Sequence, residues 1–322
     1  MAEFERINTH LAPLSKGYSD AFDLTDDIAL LDAQRLMITT DTIVEGIHYI
    51  GDEPADLIAR KLMRCNLSDL AAKGATPLYY TLNLTLGDQQ DDTWFALFCQ
   101  GLREDQNHFG LTLIGGDSTT TNHGPAVLSM TAFGALPDHI EPPKRSDAQV
   151  GDVVCVSGTI GDAGIGLTLA QKQFSLDDNH AASYLLNRYQ LPEPRIALGQ
   201  SLAPLVHASM DVSDGLMRDA LHISNYSGVG IEIHASDIPL STHVNSLLEG
   251  GHIHIEDIVT GGDDYEILCC LPPKNVAKAK QIASSLGSQI TAIGAVFNGR
   301  GVSLLDANGN AMELKTLGFI HK

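Results

Sequence analysis

Five short segments of the sequence place aspartate next to glycine, serine or threonine. They lie at residues 26–27, 39–42, 115–118, 211–215 and 261–264 and have the sequences DD, TTDT, GGDS, DVSDG and GGDD. Two carboxylates about 4 Å apart repel each other by about 4 kcal/mol at an effective dielectric constant of about 20, so a site that collects several of them needs cations. Magnesium takes oxygen ligands from a few carboxylates and from substrate phosphates. The pattern therefore predicts a Mg²⁺-dependent site for an anionic nucleotide.

Small residues in the same segments are candidate phosphate ligands. Gly115 and Gly116 are predicted to follow a strand directly, where a backbone without Cβ approaches a phosphate and offers its N–H groups. Ser213 is predicted at the start of a helix, where N–H groups also point outwards. Arg145 lies close to a predicted domain boundary and is a further candidate, with an ordinary surface arginine as the alternative.

Each segment also has a purely structural interpretation. A single Asp-Gly or Gly-Asp pair is usually a turn, and Ser213 or Asp214 is equally suited to be a helix N-cap. The threonines Thr39, Thr40 and Thr42 are common residue types in strands. Recurrence favours the site, because the segments all fall at the edges of predicted elements.

A sixth candidate lies within a predicted helix over residues 54–73. Asn66, Asp69 and Lys73 share one face, because residues three and four apart lie side by side on a helix. The rest of this helix is apolar nearly all round. We therefore expect Asn66 and Asp69 to point into the site or into a satisfied polar core.

Strands and helices alternate along the whole chain, which predicts an α/β or α+β protein. Strands are predicted at 36–44, 78–86, 111–114, 126–136, 152–157, 230–234 and 265–271, and helices at 54–73, 93–108, about 163–172, after Asp214 and at 275–286. Three prolines and several charges in residues 137–150 indicate a boundary between an N-terminal domain, 1–137, and a C-terminal domain, 148–322. Alternation in the strands of the first domain predicts a sheet with one face left for dimerisation.

Composition limits the possible partners and the compartment. The chain has 40 acidic and 20 basic residues among 322, and its net charge of −20 argues against nucleic acid or an anionic membrane as a partner. No apolar segment is long enough to span a bilayer, and the polar N-terminus is not a signal peptide, so we expect a cytoplasmic protein. The five cysteines have no C-x-x-C spacing and are predicted to be reduced core residues.

Two familiar nucleotide motifs are missing or altered. The P-loop sequence G-x-x-x-x-G-K-[ST] is absent, which excludes a P-loop enzyme. Residues 158–164, GTIGDAG, follow a predicted strand but lack the spacing of a dinucleotide-binding turn. They are interpreted as a structural turn between a strand and a helix.

Taken in order, six segments resemble the thiamine-monophosphate kinase family over nearly the whole chain. They are DDIALL at 26–31, ITTDTIVEGIH at 38–48, NLSDLAAKGA at 66–75, IGGDST at 114–119, DVSDGL at 211–216 and GGDDYE at 261–266. The family belongs to a superfamily with aminoimidazole ribonucleotide synthetase, selenophosphate synthetase and a hydrogenase-maturation protein. The resemblance implies a two-domain fold of this superfamily, in which the N-terminal domains of two subunits form a β-barrel-like homodimer and the C-terminal domain is α/β.

The resemblance also implies an activity and roles for particular residues. The implied reaction converts thiamine monophosphate to thiamine diphosphate with ATP and several Mg²⁺ ions. The implied metal ligands are Asp27, Thr39, Thr40, Asp41, Asp69, Asp117, Asp211 and Asp214, with Asp41 and Asp117 the most critical. The implied ATP contacts are Gly116, Arg145 and Ser213. The implied thiamine-phosphate contacts are His48, Asp263 and Phe319, the last by stacking.

The chain departs from the family at two of these segments. Residues 23–25 are Asp-Leu-Thr where family members often have Gly-Ile-Gly, and Asp263 replaces a frequent glutamate. The shorter Asp263 side chain is expected to reach the substrate less well. No general base is expected, because a phosphate acceptor is already ionised at neutral pH.

Two alternative functions stay open. One is another ATP-using enzyme of the superfamily, such as an aminoimidazole ribonucleotide synthetase, although the segments at His48 and Phe319 favour the thiamine substrate. Selenophosphate synthetases usually have a reactive residue near the N-terminus, whereas the first cysteine here is Cys65, inside a predicted helix. The other alternative is a Mg-nucleotide-binding regulatory protein without turnover, against which the full set of aspartates argues.

Overall fold

The structure is a computed structural model with two compact units. It describes residues 7–16, 36–121 and 123–319. Unit 1 comprises Met1–Leu70 and Ala75–Asp138, and unit 2 comprises Ala71–Gly74 and His139–Lys322. The change from unit 1 to unit 2 after Asp138 lies within the segment that was expected to separate the domains. The domain limits 1–137 and 148–322 themselves stay a prediction.

Unit 1 is built on a four-stranded sheet with two long helices. The elements in chain order are a π-helical turn (Ile7–Leu11), a 3₁₀ turn (Ala12–Ser15), β1 (Leu36–Val44), α1 (Ala55–Ala72), β2 (Thr76–Leu86), α2 (Asp92–Phe109), β3 (Thr112–Thr120) and β4 (Val127–Ala135). The strand order is β1-β4-β2-β3, with β3 parallel to β2 and the other neighbours antiparallel. Every strand and long helix predicted for this region is present.

Local sequence explains where the two helices begin and end. Pro54 precedes α1 and accepts the first N–H groups of the helix, and Gly74, with φ +74°, follows its end. Asp91 caps α2 by accepting from the N–H of Trp94 at 2.8 Å, and Gly110 terminates it in a left-handed conformation. The apolar faces of both helices are buried.

An ion-pair network joins α1 to α2. Asp105 of α2 is 1% exposed and accepts from Arg60 Nε at 3.0 Å and from Arg64 Nε at 2.6 Å. Gly101 of α2 lies so close to the Asp56 backbone of α1 that no Cβ would fit between the helices. The network therefore fixes α1, the helix that carries Asn66 and Asp69, against its neighbour.

The two faces of the unit 1 sheet differ in exposure. Tyr80 of β2 is buried, and its hydroxyl contacts Gln106 of α2 at 3.0 Å, which places the helices on that face. On the other face, the hydroxyls of Thr40 and Thr131 lie 2.8 Å apart and both side chains point away from the helices. Ile38 on that same face is 64% exposed. One face of the sheet is thus left open in the single chain, as the alternation predicted.

Unit 2 contains a six-stranded sheet covered by helices. Its strands are β5 (Val153–Ser157), β6 (Ala208–Asp211), β7 (Gly230–His234), β8 (Ile267–Leu271), β9 (Ile290–Phe297) and β10 (Gly301–Leu305), in the order β10-β7-β9-β5-β8-β6. Its helices are α3 (Asp162–Ala170), α4 (Asn179–Gln190), α5 (Ile196–Leu202), α6 (Leu216–Ser227), α7 (Thr242–Glu249), α8 (Ile255–Thr260) and α9 (Pro273–Ser285). Only β7 and β10 pair in parallel among these neighbours.

Both faces of this sheet are buried: successive residues along its strands belong to two different apolar clusters, one on each face. Val154 and Val156 of β5 pack in one cluster, and Cys155 and Cys269 pack in the other. All five cysteines of the chain are buried and unbridged, which confirms them as reduced core residues. None of the helices that the structure describes has the length and apolar character needed to cross a bilayer.

The helices of unit 2 differ in part from expectation. The helices α4, α5, α7 and α8 were not predicted. Of these, α5, α7 and α8 have 7, 8 and 6 residues, too few for a long periodic pattern, whereas α4 has 12 residues and was missed. After β10 the chain turns at Asn308-Gly309: Gly309 N–H donates to Asp306 O at 3.0 Å, and Leu305 pairs with Ala311 across the turn.

Replacing Asp105 by alanine tests the network between α1 and α2. The change leaves two arginines near a buried site without their carboxylate, and we expect unfolding free energy to fall by about 3–5 kcal/mol. Equilibrium denaturation in urea measures the change. The matched control is Glu104→Ala, which removes the exposed partner of Arg60 and should change stability by less than about 1 kcal/mol. Equal effects of the two substitutions would contradict this role of Asp105.

Candidate functional site

In unit 1, β1 and α1 bring together four polar residues, here called the Asp41 group: Thr39, Asp41, Asn66 and Asp69. The Thr39 hydroxyl donates to Asp69 Oδ2 at 2.5 Å. The Asp41 N–H donates to Asn66 Oδ1 at 3.2 Å, and buried Asn66 donates in turn to Leu62 O at 3.0 Å. Asn66 and Asp69 therefore face a polar group formed with β1, as the polar face of α1 predicted.

The Asp41 carboxyl group lies in an environment that disfavours its charge. Burial, and then the nearby negative charge of Asp69, raise the pKa of Asp41 from 3.8 to about 7. A cation bound by the two carboxylates would remove both causes, since it supplies opposite charge and replaces lost hydration. The oxygen-only donors of the group fit Mg²⁺.

The strand that carries Gly115, Gly116 and Asp117 is longer than predicted. All three lie inside β3, so the expectation that the glycines directly follow the strand is wrong. Gly116 lies level with Leu82 of β2 and so close to its carbonyl group that a Cβ would not fit. Close packing against β2 is therefore one demonstrable reason for glycine at position 116.

Strand registers place Asp117 on the face opposite to Asp41. Asp41 is level with Met130 of β4 and with Leu82 of β2, in a buried row that faces the helices. Asp117 is level with Asn83, which is exposed, and its Oδ1 accepts from the next N–H at 2.9 Å. A role of Asp117 as a metal ligand stays a prediction that the Asp41 group does not by itself support.

Thr40 differs from Thr39 for the same geometric reason. Successive side chains of a strand point to opposite faces, so Thr40 lies on the open face of the sheet, where its hydroxyl contacts Thr131 at 2.8 Å. Because its side chain points away from the Asp41 group, Thr40 could coordinate a metal there only through its backbone carbonyl oxygen. Its role stays a prediction, and so does that of Asp27, which lies outside the described residues.

His48 lies in the turn that follows β1. Its N–H donates to Val44 O at 2.9 Å, and its ring Nδ1 accepts from the N–H of Val44 at 3.1 Å. In the neutral ring, an accepting Nδ1 places the proton on Nε2. The turn thus fixes both the position of the imidazole and its donor atom.

In unit 2, the segment after β6 is held in shape by a residue that the sequence did not single out. Asp219 of α6 is 1% exposed, and its Oδ2 accepts from the N–H groups of Ser213 and Asp214 at 3.0 and 3.1 Å. The Ser213 N–H, expected to bind phosphate, is therefore already engaged. Neither Ser213 nor Asp214 is the N-cap of α6, because Gly215 occupies that position.

Two distant parts of the chain join this segment through backbone hydrogen bonds. Asp263 N–H donates to Ser213 O at 2.9 Å, and Phe319 N–H donates to Asp214 O at 2.9 Å. Gly318 packs so closely against the Asp214 carbonyl group that a Cβ would not fit. Unit 2 thus brings together Ser213, Asp214, Asp263 and Phe319, which are separated by up to about a hundred residues in sequence.

Carboxylates are also crowded at this segment. Burial, followed by the charges of Asp211 and Asp214, raises the pKa of Asp219 well above its usual value, although the two N–H donors oppose this. Ligand atoms of Asp214, Asp219 and His222 lie within 4.8 Å of one another. Crowded carboxylate oxygens with a raised pKa fit a divalent cation here as in the Asp41 group. One feature of the sequence could have indicated Asp219: it is an acidic residue in the first turn of α6, where a negative charge is favourable.

Arg145 lies beside α6. Its guanidinium group lies over the Tyr226 ring at 6.0 Å, and its carbonyl oxygen accepts from the Ser227 hydroxyl at 3.0 Å. Burial, and then the charges of Arg145 and Arg218, lower the pKa of His222, while Asp214 opposes the shift. Arg145 therefore adds positive charge to the same face of unit 2 that carries His222.

Comparison with known proteins gives consistent family matches. Residues 25–136 match the N-terminal domain of AIR synthase related protein, and residues 149–306 match its C-terminal domain. A thiamine-monophosphate kinase of Caulobacter vibrioides is 38% identical over 325 residues, covering 99% of this chain and 90% of the relative.

Solved structures agree with the sequence matches. The crystal structure of thiamine-monophosphate kinase from Stenotrophomonas maltophilia has a TM-score of 0.80 and 35% identity, covering 90% of this chain and 91% of that one. A structure described as AaThiL complexed with AMPPCP and TMP has a TM-score of 0.78 and 28% identity, covering 92% and 91%. The matches extend over both units.

Asp41→Asn tests the electrostatic state of the Asp41 group without metal. Because the pKa of Asp41 is raised by folding from 3.8 to about 7, the unfolded chain loses this proton first as pH rises, and the resulting loss of stability is complete above pH 7. The substitution should therefore raise stability in EDTA at pH 8, by about 1–3 kcal/mol after allowing for solvent screening, and have no such effect near pH 4.

Thermal denaturation at the two pH values measures this difference. Asp88→Asn, at an exposed turn position after β2, is the matched control and should change little at either pH. Added Mg²⁺ should stabilise the wild type more than Asp41→Asn. A lower melting temperature of Asp41→Asn in EDTA at pH 8 would contradict the proposed repulsion.

Proposed function

The chain belongs to the thiamine-monophosphate kinase family, and we propose that it moves the γ-phosphoryl group of ATP directly onto the phosphate of thiamine monophosphate. The products are thiamine diphosphate and ADP. One observation carries the proposal: in unit 2, backbone hydrogen bonds hold Asp263 and the exposed ring of Phe319 beside the aspartates of residues 211–214. A phosphate-binding region next to an aromatic surface suits a substrate with a phosphate and an aromatic ring.

The acceptor in this reaction needs no general base. A phosphate monoester, with a second pKa of about 6, is largely ionised at neutral pH, so its oxygen is already a nucleophile. Catalysis then rests on placing the two substrates in line and on neutralising their charge. Residues such as Thr39, His48 and Ser213 would serve to bind and orient the substrates.

Carboxylates in both units would hold Mg²⁺. In unit 1 these are Asp41 and Asp69, with the Thr39 hydroxyl beside them, and in unit 2 they are Asp211 and Asp214. Bound Mg²⁺ neutralises phosphate charge and orients the transferring group. The number of ions and the inclusion of Asp27, Thr40 and Asp117 among the ligands are part of the proposal.

ATP would contact the chain through Gly115, Gly116, Ser213 and Arg145. Because the Ser213 N–H donates to Asp219, the hydroxyl of Ser213 is the group left to contact a phosphate. Arg145 would add a positive charge that suits a phosphate oxygen.

The acceptor would be held by His48, Asp263 and Phe319. Phe319 is 46% exposed, and the hydrogen bond from its N–H to Asp214 O fixes the backbone from which the ring projects; the ring would stack on the substrate. His48 offers a proton on Nε2 to an anionic group. The donor and the acceptor would thus each be held by fixed polar groups.

A coupled assay of ADP release tests the reaction and its metal site. With Mg²⁺ and ATP, we expect turnover with thiamine monophosphate and none with thiamine or formylglycinamidine ribonucleotide. Only thiamine monophosphate has both a phosphate group and an aromatic ring. Asp117→Asn should lower kcat by about 10²-fold if that carboxylate stabilises charge in the transition state. Asp88→Asn is the matched control. Near-normal turnover of Asp117→Asn would remove Asp117 from the ligands.

We further propose that the open face of the unit 1 sheet forms a homodimer interface. The face carries paired hydroxyls, such as Thr42 and Ser129 at 2.5 Å, together with the exposed apolar side chain of Ile38. A sheet face with apolar and hydroxyl side chains is suited to packing against its symmetry-related copy. The barrel-like dimer that the family resemblance implies would bury this face.

Ile38→Glu tests the dimer interface. The substitution places a charge on each of the two faces that would be buried, so we expect the molecular mass in solution to fall from that of a dimer to that of a monomer at micromolar concentration. Light scattering coupled to size-exclusion chromatography measures the mass. The matched control is Leu97→Glu on α2, an exposed apolar residue on the other side of the sheet. A monomeric wild type, or an unchanged dimer of Ile38→Glu, would contradict this interface.

A further inference from the structure

The turn that carries Asp263 has an unusual backbone. Asp263 and Tyr265 both adopt left-handed conformations, with φ of +68° and +51°, although neither is glycine. Such conformations are unfavourable for residues with a Cβ and persist only when surrounding contacts enforce them. Contacts with the surrounding structure must therefore hold residues 263–265 in this backbone conformation.

Backbone hydrogen bonds supply part of that restraint. Asp263 N–H donates to Ser213 O at 2.9 Å, and Tyr265 N–H donates to Val212 O at 2.8 Å. Val212 N–H donates back to Glu266 O at 2.8 Å. The turn is thereby joined to the segment that carries the candidate metal and ATP ligands of unit 2.

The residue between the two left-handed positions is a fully buried aspartate. Asp264 is 0% exposed, and its two carboxylate oxygens accept from Gly161 N–H at 2.8 Å and Ala163 N–H at 3.3 Å. Those donors lie at the first turn of α3, where the helix leaves N–H groups without intrahelical partners. The Asp264 side chain therefore fastens the turn to the start of α3.

The next acidic residue fastens the other end of the turn. Glu266 is also 0% exposed and accepts from Ser157 Oγ at 2.6 Å, from Arg188 Nη2 at 3.0 Å and from both Arg195 Nε and Nη2, at 2.8 and 2.5 Å. Gly158 lies so close to the carboxylate of Glu266 that a Cβ would overlap it. Asp264 and Glu266, with these partners, are called the acidic clamp below.

A buried carboxylate that only filled space would be a poor choice, because burying its charge is unfavourable without strong partners. Glu266 has two arginines as partners, and Asp264 has two N–H groups at the first turn of α3. Asp264 lies between the two strained residues, and Glu266 directly follows them. Asp263 directly precedes Asp264, and the proposed function requires a fixed position of Asp263 because this residue would contact the substrate. We propose that Asp264 and Glu266 are positioning residues that, through α3 and the two arginines, hold Asp263 in the conformation that binds thiamine monophosphate; this inference rests on the proposed function.

Asp264→Asn separates positioning from simple stability. An amide has one acceptor oxygen, so one of the two N–H groups of α3 loses its partner and faces an NH₂ donor. We expect KM for thiamine monophosphate to rise about 10-fold, while kcat and KM for ATP change less than about twofold. A purely structural role would instead lower kcat with the fraction of folded enzyme and leave KM unchanged.

The matched control is Asp178→Asn. Asp178 also accepts from two N–H groups at the first turn of a helix, those of His180 at 2.8 Å and Ala181 at 3.2 Å, but it caps α4 on an exposed part of unit 2. The same chemical change there should leave both KM values unaltered. A rise in KM for thiamine monophosphate in the control would show that loss of such a contact is not specific to Asp264.

A second variant covers the case in which Asp264→Asn does not fold. Arg195→Lys keeps the positive charge but replaces two contacts with Glu266 by one, and should raise KM for thiamine monophosphate about threefold. If the wild type turns over thiamine monophosphate and the folded variants keep its KM, the positioning role is wrong and the proposed function stands. A wild type that forms no ADP with this acceptor overturns both.

Discussion

Repulsion between closely spaced carboxylates is the constraint on which the rest of this structure depends. Asp41 lies beside Asp69, and Asp219 lies beside Asp211 and Asp214, and in each place the pKa of one carboxyl group is raised by burial and by its neighbours' charge. The fold tolerates this because other contacts hold the segments in place: an amide and a hydroxyl in unit 1, and two backbone N–H groups in unit 2.

Buried negative charge in this chain is compensated to different degrees at different carboxylates. Asp105 and Glu266 are each compensated by two arginines, and the network of Glu266 is so favourable that it lowers the pKa of that group despite burial. The contacts described for the Asp219 carboxylate come from backbone N–H groups, which are neutral and leave its negative charge in place, and the Asp41 carboxylate lies beside the negative charge of Asp69. A bound divalent cation would neutralise the charge of these carboxylates, and a substrate phosphate would fill its remaining coordination positions.

Sequence predicted those features that depend on local pattern. The elements β1, α1, β2 and α2 are long and periodic, and the grouping of Asn66 and Asp69 with β1 followed from helix geometry. Other features depend on pairing between strands, which the sequence pattern does not show. β3 continues through Gly115 and Gly116 because it pairs with β2, and a register shift next to Tyr80 determines which face Asp117 occupies. Asp219 was not singled out, and no separate role was expected for Asp264 within the segment 261–264, because both residues accept from N–H groups that only the folded chain brings to them.

The most direct test of this account is a crystal structure with Mn²⁺ in place of Mg²⁺, together with a non-hydrolysable ATP analogue and thiamine monophosphate. The anomalous signal of Mn²⁺ locates each ion independently of the phosphates. The account predicts peaks at coordination distance, about 2.1 Å for Mg²⁺ and close to this for Mn²⁺, from carboxylate oxygens of Asp41 or Asp69 and of Asp211 or Asp214. Manganese bound only elsewhere, with these carboxylates unligated in the complex, would contradict it.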